Sequence, residues 1–474
     1  MGKIIIKCFE TPRRKYFYDR HRNSVVAVNE REYQNLKEIE KTGVLPQNKV
    51  LERFTKNGLL QETHLEEIEH PDTESIKYLS QHGLNDLILQ VTQQCNLRCN
   101  YCVYSGNYYN RTHTAQRMDF ELAKKAIDFY LLRSDEAPNL TLSFYGGEPL
   151  LEFDLIKKCV DYISKKKGEQ TVKFPMTTNG TLLTEEKFEF LINNNFNIMI
   201  SLDGTKESHD ANRKFLSGEG SFDLVIKNLK LLKKYNETYY KEHVLINCVI
   251  SATTNLNETY DFFCDSELFY PNSINFNFVD LVDIKDPSIS EIKPQNQQIK
   301  DFEYLKMLLC LINRKEWDTK STILRRSADN IELLYEQLHR HAIEARKMHH
   351  SGPCIPGIRR LFVTVNGDFF PCERVPESNS LMSIGSLKSG FDYKKMDFFL
   401  NNGKLIEKEC LECWNLVECN YCLGSVEKHD QNVTGELLLE KCNSSKLSTE
   451  SSLQQVCVLA ELGYTGYNNL NIFR

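Results

Sequence analysis

The sequence predicts an α/β protein: a partial (β/α)6 barrel between an N-terminal winged helix-turn-helix module and a C-terminal cysteine-rich domain. Six apolar strand-like runs alternate with amphipathic helical segments between residues 86 and 280, a pattern typical of a parallel sheet covered by helices. Three short β-type runs and two helices precede them, and cysteines cluster after them. We therefore expect a small module at residues 1–75, the barrel at 76–290, a helical connection at 291–353 and the cysteine-rich domain at 354–474.

The N-terminal module is predicted from β-type runs at Lys3–Cys8, Lys15–Tyr18 and Ser24–Val28. Asn29 is a suitable N-cap with Glu32 at the capping-box position, which predicts a helix over Glu30–Lys41 that Gly43 ends. A second helix is expected near Asn48–Lys56. The acidic stretch 62–74 is predicted to be an exposed linker.

The barrel prediction rests on six strands, each followed by a helix or a loop. The predicted strands are Asp86–Val91, Leu140–Phe144, Val172–Met176, Asn197–Ser201, Val244–Ile250 and Ser273–Val279. The predicted helices include Phe120–Leu132, Leu155–Lys165, Thr184–Asn193 and Phe222–Tyr235. Six units fall short of the eight of a closed barrel, so we expect a partial barrel.

Composition excludes several classes of protein. The chain has 474 residues, a formal charge of −6 and 41% hydrophobic residues, so it is not a disordered chain. No apolar run approaches the roughly 18–20 residues of a membrane span, and the N-terminus lacks the pattern of a secretory signal. We expect a cytoplasmic protein without membrane contact. Its 16 cysteines then indicate metal or redox chemistry, because a reducing compartment does not support a disulfide framework.

The first cysteine motif is Cys95-x3-Cys99-x2-Cys102, directly after the first barrel strand. A 4Fe-4S cube needs four ligands, so three cysteines would leave one iron open to a non-protein ligand. A structural zinc site is the alternative, with His113 as its fourth ligand.

Further polar motifs follow the next three strands, where the active sites of barrels are built. They are Gly146-Gly147-Glu148-Pro149, then Asn179-Gly180, then Ser201-x-Asp203, with Arg213 further on. Glu148 can accept from an ammonium group, Ser201 and Asp203 suit ribose hydroxyls, and Arg213 can pair with a carboxylate. An amine, a ribose and a carboxylate together describe S-adenosylmethionine.

With these motifs the chain resembles the radical S-adenosylmethionine (radical SAM) enzymes, whose catalytic domain is a partial TIM-like barrel. The resemblance covers residues 86–280 and includes Tyr101, the aromatic residue before the last cysteine. It implies that Cys95, Cys99 and Cys102 hold the catalytic 4Fe-4S cluster. It also implies S-adenosylmethionine contacts from Tyr101, Gly146, Gly147, Glu148, Pro149, Asn179, Ser201, Asp203 and Arg213. In this family one electron cleaves the sulfonium, and the resulting 5′-deoxyadenosyl radical abstracts a hydrogen atom from the substrate.

The second cysteine constellation resembles the SPASM extension, which carries two auxiliary 4Fe-4S clusters. The resemblance assigns Cys410, Cys413, Cys419 and Cys442 to a fully ligated distal cluster, and Cys354, Cys372 and Cys422 to a proximal one. The last internal spacing is two residues here, where the commoner pattern has three. A zinc ribbon is the alternative for residues 410–422.

The proximal set is one thiolate short of a complete cluster. Residues 348–353 contain no cysteine, and Cys310 upstream sits in an apolar helical run that favours a buried structural thiol. An open iron would bind a substrate cysteine and lower the pKa of its thiol. The prediction is a thioether cross-link between that sulfur and a carbon radical, with the surplus electron passing into the cluster. The alternative is that His349, His350 or water occupies the iron.

The N-terminal module is interpreted as a precursor-peptide recognition element, because it is fused to a radical enzyme. Residues 1–62 carry 13 Lys/Arg and 8 Asp/Glu, and the basic residues gather on the β part rather than on the second helix, where DNA readout would need them. These basic residues are Arg13, Arg14, Lys15, Arg20 and Arg22. A leader peptide would add as a strand to a sheet edge.

The whole chain therefore resembles the thioether-forming sactipeptide and ranthipeptide maturases. The expected partners are a Cys-containing precursor peptide bound through its leader and a flavodoxin or ferredoxin-type reductant, with no nucleic acid. Alternatives are a carbon–carbon cross-linking maturase, an anaerobic sulfatase-maturing formylglycine-generating enzyme and, in a different class, an iron–sulfur DNA-binding redox sensor.

Overall fold

The computed structural model describes residues 2–109, 111–270, 273–313, 324–339, 343–426 and 433–466. The strands are β1 Ile6–Glu10, β2 Lys15–Asp19, β3 Ser24–Val28, β4 Glu67–Ile68, β5 Asp86–Thr92, β6 Leu140–Gly146, β7 Val172–Thr178, β8 Phe196–Ser201, β9 Val244–Ile250, β10 Ile274–Phe278, β11 Lys347–Met348, β12 Leu361–Val363, β13 Asp368–Phe370, β14 Gly385–Ser386 and β15 Gly390–Phe391.

The helices in the same ranges are α1 Glu30–Thr42, α2 Glu52–Lys56, α3 Ile76–His82, α4 Phe120–Leu131, α5 Phe153–Lys166, α6 Glu185–Asn193, α7 Lys206–Asn212, α8 Phe222–Tyr235, α9 Glu237–His243, α10 Leu256–Asp265, α11 Pro294–Asn313, α12 Arg325–His339, α13 Tyr393–Leu400, α14 Glu407–Leu411 and α15 Gly435–Glu461. None of the described helices combines the length and the apolar character that crossing a membrane requires.

The N-terminal module is an antiparallel sheet in the order β1-β2-β3, with α1 and α2 following. The predicted capping box of α1 is present: Asn29 Oδ1 accepts from Glu32 N at 2.9 Å, and Glu32 Oε2 accepts from Asn29 N at 2.9 Å. Gly43 ends this helix at φ +71°, a left-handed conformation that favours glycine. The second helix is shorter than predicted, because Asn48 accepts from the Val50 amide and forms a turn ahead of it.

The acidic stretch 62–74 is more than an exposed linker. Leu65 and Ile68 are buried, and β4 pairs in parallel with β11. The acidic side chains of Glu67 and Glu69 form ion pairs with Lys347 and Lys404. The expectation of a simple linker is therefore wrong, since long-range pairing with residues 347–348 orders this segment.

The barrel sheet confirms the predicted α/β architecture. Six parallel strands are hydrogen-bonded in the order β10-β9-β8-β7-β6-β5, and the helices follow the strands along the chain. The sheet is extended beyond β5 by β12, which pairs with it in parallel, and then by β13, β14 and β15. Sequence patterning did not predict this extension, because strands of two or three residues are too short to show a period.

The C-terminal domain also contains a long helix that the sequence did not predict. α15 is 27 residues long and carries Cys442. Its middle is rich in serine and threonine, which hides the 3.6-residue period of its buried residues. Leu453, Val456 and Cys457 are nevertheless fully buried.

The helical connection at 291–353 is present as α11 and α12. Part of it, residues 314–323 and 340–342, lies outside the described residues. These helices and α15 share a hydrophobic core with the N-terminal sheet, formed by residues such as Tyr16, Tyr18, Met307, Tyr335 and Leu453. The N-terminal module is thus packed onto the connection and the C-terminal helix.

Arg20 does not belong to an exposed basic face, so that part of the prediction is wrong. Its side chain is 2% exposed and pairs with Glu344, with Nη2 and Oε1 2.6 Å apart. Its Nη1 donates to the carbonyl oxygens of Leu411 at 2.7 Å and Cys413 at 3.1 Å. Arg20 therefore ties the N-terminal sheet to the loop that carries a C-terminal cysteine.

Candidate functional site

Cys95, Cys99 and Cys102, here called the barrel cysteines, lie on the loop that leaves the carboxyl end of β5. Burial is the main cause that raises the pKa of the Cys95 and Cys99 thiols to about 12; the charge of Glu148 adds to it at Cys95, and Arg213 opposes it at Cys99. Each sulfur also accepts an N–H group of the chain. The contacts are Leu97 N to Cys95 Sγ at 3.4 Å, Tyr104 N to Cys102 Sγ at 3.5 Å and Arg213 Nη1 to Cys99 Sγ at 3.9 Å. Such donors stabilise thiolates, the form that binds metal.

The two glycines of the 146–149 motif allow this loop to approach β6. A Cβ atom at Gly147 would lie 2.1 Å from the Gln94 carbonyl oxygen, and one at Gly146 would lie 2.1 Å from the Thr92 carbonyl oxygen. Gly146 also has φ +148°. The backbone amides of Gly147 and Glu148 donate to the same two carbonyl oxygens at 3.0 and 2.8 Å. The motif thereby fixes the start of the barrel-cysteine loop.

Glu148 joins the ends of two strands. Its carboxylate is fully buried and accepts from Thr178 Oγ1 at 2.7 Å, Asn179 N at 2.8 Å and Leu150 N at 3.0 Å. Burial raises its pKa, and these donors partly oppose that effect. Asn179 in turn directs its Nδ2 to Cys95 Sγ at 3.7 Å. Glu148 therefore positions Asn179 beside the barrel cysteines, while its predicted contact with an ammonium group stays a prediction.

Asp203 is the centre of a second buried network. Its Oδ2 accepts from Arg213 Nε at 2.9 Å and from the Tyr101 hydroxyl, and its Oδ1 accepts from Val249 N at 3.0 Å. Burial alone would lower the pKa of Arg213, but Asp203 and Tyr101 raise it, so the guanidinium stays charged. The structure thus pairs Asp203 with Arg213, and their assigned contacts with a ribose and a carboxylate stay predictions.

Ser201 and Pro149 complete the predicted residues of this region. Ser201 is 7% exposed and is the last residue of β8. Pro149 is buried and begins a short 3-10 turn over Pro149–Glu152, for which its fixed φ is suited. The structure therefore gathers the strand-end motifs around the loop of the barrel cysteines.

The seven predicted C-terminal cysteines fall into two groups. Cys410, Cys413, Cys419 and Cys442, here called the distal cysteines, line one cavity of about 240 Å³. Cys354, Cys372 and Cys422 are here called the proximal cysteines. Burial raises the pKa of the Cys354 and Cys372 thiols, and the charge of Cys422 acts in the same direction on both. This grouping matches the assignment by resemblance, although the role of each thiol as a ligand stays a prediction.

The described residues hold no three His, Cys, Asp or Glu side chains placed to ligate one single metal ion. In a 4Fe-4S cube each thiolate binds a different iron, so the sulfurs are spread around the cluster rather than around one point. The four-cysteine cavity fits such a group: it is lined by thiols, and it also contains the buried hydroxyl of Tyr421, which has no partner.

The two histidines before the proximal cysteines are placed differently from the prediction. His349 Nε2 accepts from Gly403 N at 2.9 Å, and its Nδ1 lies 3.0 Å from the His350 carbonyl oxygen, so both nitrogens are used. His350 lines the distal cavity. These contacts direct neither imidazole ring toward the proximal cysteines.

A polar cavity of about 300 Å³ lies between the barrel-cysteine loop and the segment after Cys372. Sequence reasoning missed its central residues Tyr104, Arg111 and Glu377. Tyr104 donates to Glu377 Oε1 at 2.5 Å, and Arg111 Nη2 donates to the Glu373 carbonyl oxygen at 2.8 Å. The available signal was proximity in sequence, because Tyr104 and Glu377 follow Cys102 and Cys372 by two and five residues.

A second cavity, of about 360 Å³, is lined by residues from β5 to β9 and by the segment around Glu373. Glu373 Oε1 accepts from Arg360 Nη1 at 2.8 Å, while its Oε2 is buried without a partner. Burial raises the pKa of Asp86, on the same wall, to about 6. The barrel sheet therefore surrounds a space with charged groups supplied by the C-terminal domain.

Comparison with known proteins finds similarities that centre on the barrel. Residues 89–261 match the model of the radical SAM superfamily. A cysteine-type anaerobic sulfatase-maturating enzyme of Clostridium perfringens (strain 13 / Type A) is 27% identical over 73% of this chain and 91% of that protein. An uncharacterised protein of Methanocaldococcus jannaschii is 40% identical over 32% of this chain, which spans half of that relative.

The fold is also similar to that of a solved structure. Native anSMEcpe with bound AdoMet and Cp18Cys peptide superposes with a TM-score of 0.56, at 21% identity, over 80% of this chain and 99% of that one. At this identity the likeness concerns the fold alone. A radical SAM domain implies a 4Fe-4S cluster and S-adenosylmethionine, which the loop of three cysteines and its surrounding strand-end motifs fit. The chain thus contains a region, residues 89–261, that is similar to the radical SAM superfamily.

Proposed function

We propose that this chain is a radical SAM maturase that installs a thioether between a cysteine sulfur and a carbon of a ribosomally made precursor peptide. The observation that carries this proposal is the set of three proximal cysteines. The only thiols whose charges affect the pKa of Cys354 and Cys372 in the described residues are those of other proximal cysteines. Cys310, the nearest cysteine upstream in the sequence, lies on α11, which packs against the N-terminal module. A cluster held there has one iron without a protein thiolate.

The barrel cysteines would hold the catalytic cluster, and the strand-end motifs would bind S-adenosylmethionine. When bound, this pair of groups supplies the 5′-deoxyadenosyl radical that removes a hydrogen atom from the peptide. Arg213 and Asn179 place N–H groups against Cys99 and Cys95, and Asp203 holds Arg213 in place.

The polar cavity lined by Tyr104, Arg111 and Glu377 is the proposed place of the reacting peptide segment. Tyr104 follows Cys102 by two residues and Glu377 follows Cys372 by five, so the cavity lies beside segments that carry cysteines of both sets. Arg111 Nε is buried and without a hydrogen-bond partner, 3.8 Å from Glu377 Oε1. A peptide carbonyl oxygen would satisfy this donor.

The N-terminal module is the proposed binding site of the leader. In the described residues β3 pairs with β2 only, so its other side forms no strand pairing there, although the Ala27 carbonyl oxygen accepts from Arg53 at 3.5 Å. Backbone pairing at an open edge binds an extended peptide with little dependence on sequence. Arg13 and Arg14 are exposed at the turn between β1 and β2 and would favour an acidic leader. A flavodoxin or ferredoxin-type protein is the proposed electron donor.

Anaerobic sulfatase maturation is the second candidate, and the relatives favour it. The C. perfringens protein that bears this name matches along most of its length. In that reaction the cysteine of a sulfatase is oxidised to formylglycine. The residue that favours it here is Glu373, whose free Oε2 lines the barrel cavity.

Reconstituted protein should be incubated anaerobically with S-adenosylmethionine, dithionite and a Cys-containing precursor encoded beside this gene. The thioether hypothesis predicts two products: 5′-deoxyadenosine, and a peptide that has lost two hydrogen atoms and whose cysteine resists alkylation. A product that reacts with hydrazide reagents would instead establish formylglycine. Absence of 5′-deoxyadenosine would refute both, and a product linked through two carbons with a free thiol would refute the thioether.

A further inference from the structure

Tyr421 presents an unsatisfied donor to the distal cysteines. Its side chain is 8% exposed and lines the same cavity as the four thiols. Its hydroxyl is buried and has no hydrogen-bond partner in the described residues. Burial, and then the charges of the four distal cysteines, raise the pKa of this hydroxyl, consistent with their common place around one cavity. A buried hydroxyl left without an acceptor is costly, so its partner should be whatever fills the cavity.

The position of the Tyr421 ring is fixed from two sides. It stacks on the imidazole of His350, with ring centroids 4.4 Å apart and planes at 26°. His350 is held by Asn402, whose Oδ1 is 3.0 Å from Nε2. A Cβ atom at Gly352 would lie 1.7 Å from the Tyr421 carbonyl oxygen, so the two chain segments are in direct contact. The hydroxyl is therefore directed by the fold rather than by a flexible loop.

His350 Nδ1 is also buried without a partner, but it is a hydrogen-bond acceptor and not a donor. Because Asn402 Nδ2 donates to the Phe399 carbonyl oxygen, Asn402 Oδ1 accepts from His350 Nε2, and His350 Nδ1 is left as an acceptor. The sulfurs of an iron–sulfur cluster accept hydrogen bonds and donate none. Only Tyr421 of this pair can bond to them.

We infer that the Tyr421 hydroxyl donates a hydrogen bond to a sulfur of the cluster held by the distal cysteines and thereby raises the reduction potential of that cluster. Reduction adds negative charge to the sulfurs, so a donor stabilises the reduced state more than the oxidised state. Tyr421 thus sets the reduction potential of a cluster whose role is electron transfer. The inference rests on the proposed cluster at this site, but it does not depend on which peptide product the enzyme forms.

The test compares Tyr421→Phe with the parent chain in a background where the barrel and proximal cysteines are alanine, so that only the distal cluster forms. We expect a more negative midpoint potential, with the ratio of reduced to oxidised cluster at fixed applied potential about fivefold lower, the size of one net hydrogen bond. Tyr240→Phe is the matched control, since its hydroxyl is also buried and unpartnered and lies on α9, away from these cysteines. It should leave the potential unchanged.

A second measurement avoids the multiple substitutions. Electron–nuclear double resonance of the reduced holoenzyme in deuterated water should show an exchangeable deuteron coupled to the distal cluster, and Tyr421→Phe should remove it. An unchanged potential together with an unchanged deuteron signal would overturn the inference, as would the absence of iron at the distal cysteines. If the wild-type enzyme forms no cross-linked peptide but Tyr421→Phe still shifts the potential of the distal cluster, the proposed function is refuted and this inference stands.

Discussion

The barrel cysteines and the C-terminal cysteines are built by different means. The barrel site is assembled from the carboxyl ends of neighbouring strands, so Glu148, Asn179 and Asp203 reach it by the same structural rule. The distal cysteines depend instead on contacts with distant parts of the chain, among them Arg20 and His350. The first site is a property of one repeated scaffold, whereas the second requires the N-terminal module, the 349–352 segment and α15 to come together.

The strongest test of this comparison removes one cysteine from each set. Cys99→Ala should abolish 5′-deoxyadenosine formation, because the catalytic cluster loses one of its three ligands. Cys354→Ala should retain this product and lose the modified peptide. Cys310→Ala is the control and should behave as wild type in both assays. Liquid chromatography with mass spectrometry measures both products, and loss of 5′-deoxyadenosine in all three variants would contradict the separation of roles.

The dependence of the distal site on the N-terminal module can be broken at Arg20. Arg20→Ala leaves the buried Glu344 unpaired, and we expect a loss of about 3–5 kcal/mol in the free energy of unfolding. Iron bound at the distal cysteines should also fall, because Leu411 and Cys413 lose their donor. Denaturant unfolding and iron analysis measure these effects. Arg13→Ala, at an exposed position, should change neither, and equal effects of the two substitutions would contradict this account.

Substitution of Asp203 should affect the barrel site and leave the distal site unchanged. Asp203→Asn removes the charge that holds Arg213 beside Cys99, and we expect cleavage of S-adenosylmethionine to slow by about tenfold to hundredfold. The distal cluster should keep its iron and its potential. Asp223→Asn, which breaks only an exposed pair with Lys206, is the control. A loss of distal iron in Asp203→Asn would show that the two sites are not independent.

The smallest effect is expected at Asp86, where the two regions meet. Burial raises its pKa from 3.8 to about 6, so the folded state binds this proton more tightly than the unfolded state. Stability should therefore fall as the pH rises from about 4 to 6, by about 1–3 kcal/mol at neutral pH. Asp86→Asn should flatten this slope in denaturant unfolding at several pH values. If Asp86→Asn shows the same pH dependence of stability as the wild type, other titratable groups cause that dependence.

The sequence by itself determined the six barrel strands, the capped helix α1 and the cysteine spacings, because each has a local signature in period, cap or spacing. The grouping of the seven C-terminal cysteines into two cluster sets came from resemblance to a family and stays a prediction. Only the tertiary structure decided the parts that depend on residues far apart. These include the pairing of β12 with β5, the burial of Arg20 against Glu344 and the ion pair of Asp203 with Arg213.

The same physical reason accounts for Tyr421 and for α15. Nothing in the neighbouring residues shows that the Tyr421 hydroxyl is buried without a partner, because the surrounding groups come from His350 and from cysteines on separate segments. The part of α15 from Leu453 to Leu459, which follows its serine-rich middle, likewise acquires its buried face by packing against the N-terminal sheet, α11 and α12. Local sequence specifies where the chain bends and which thiols it carries, and long-range packing specifies what those thiols meet.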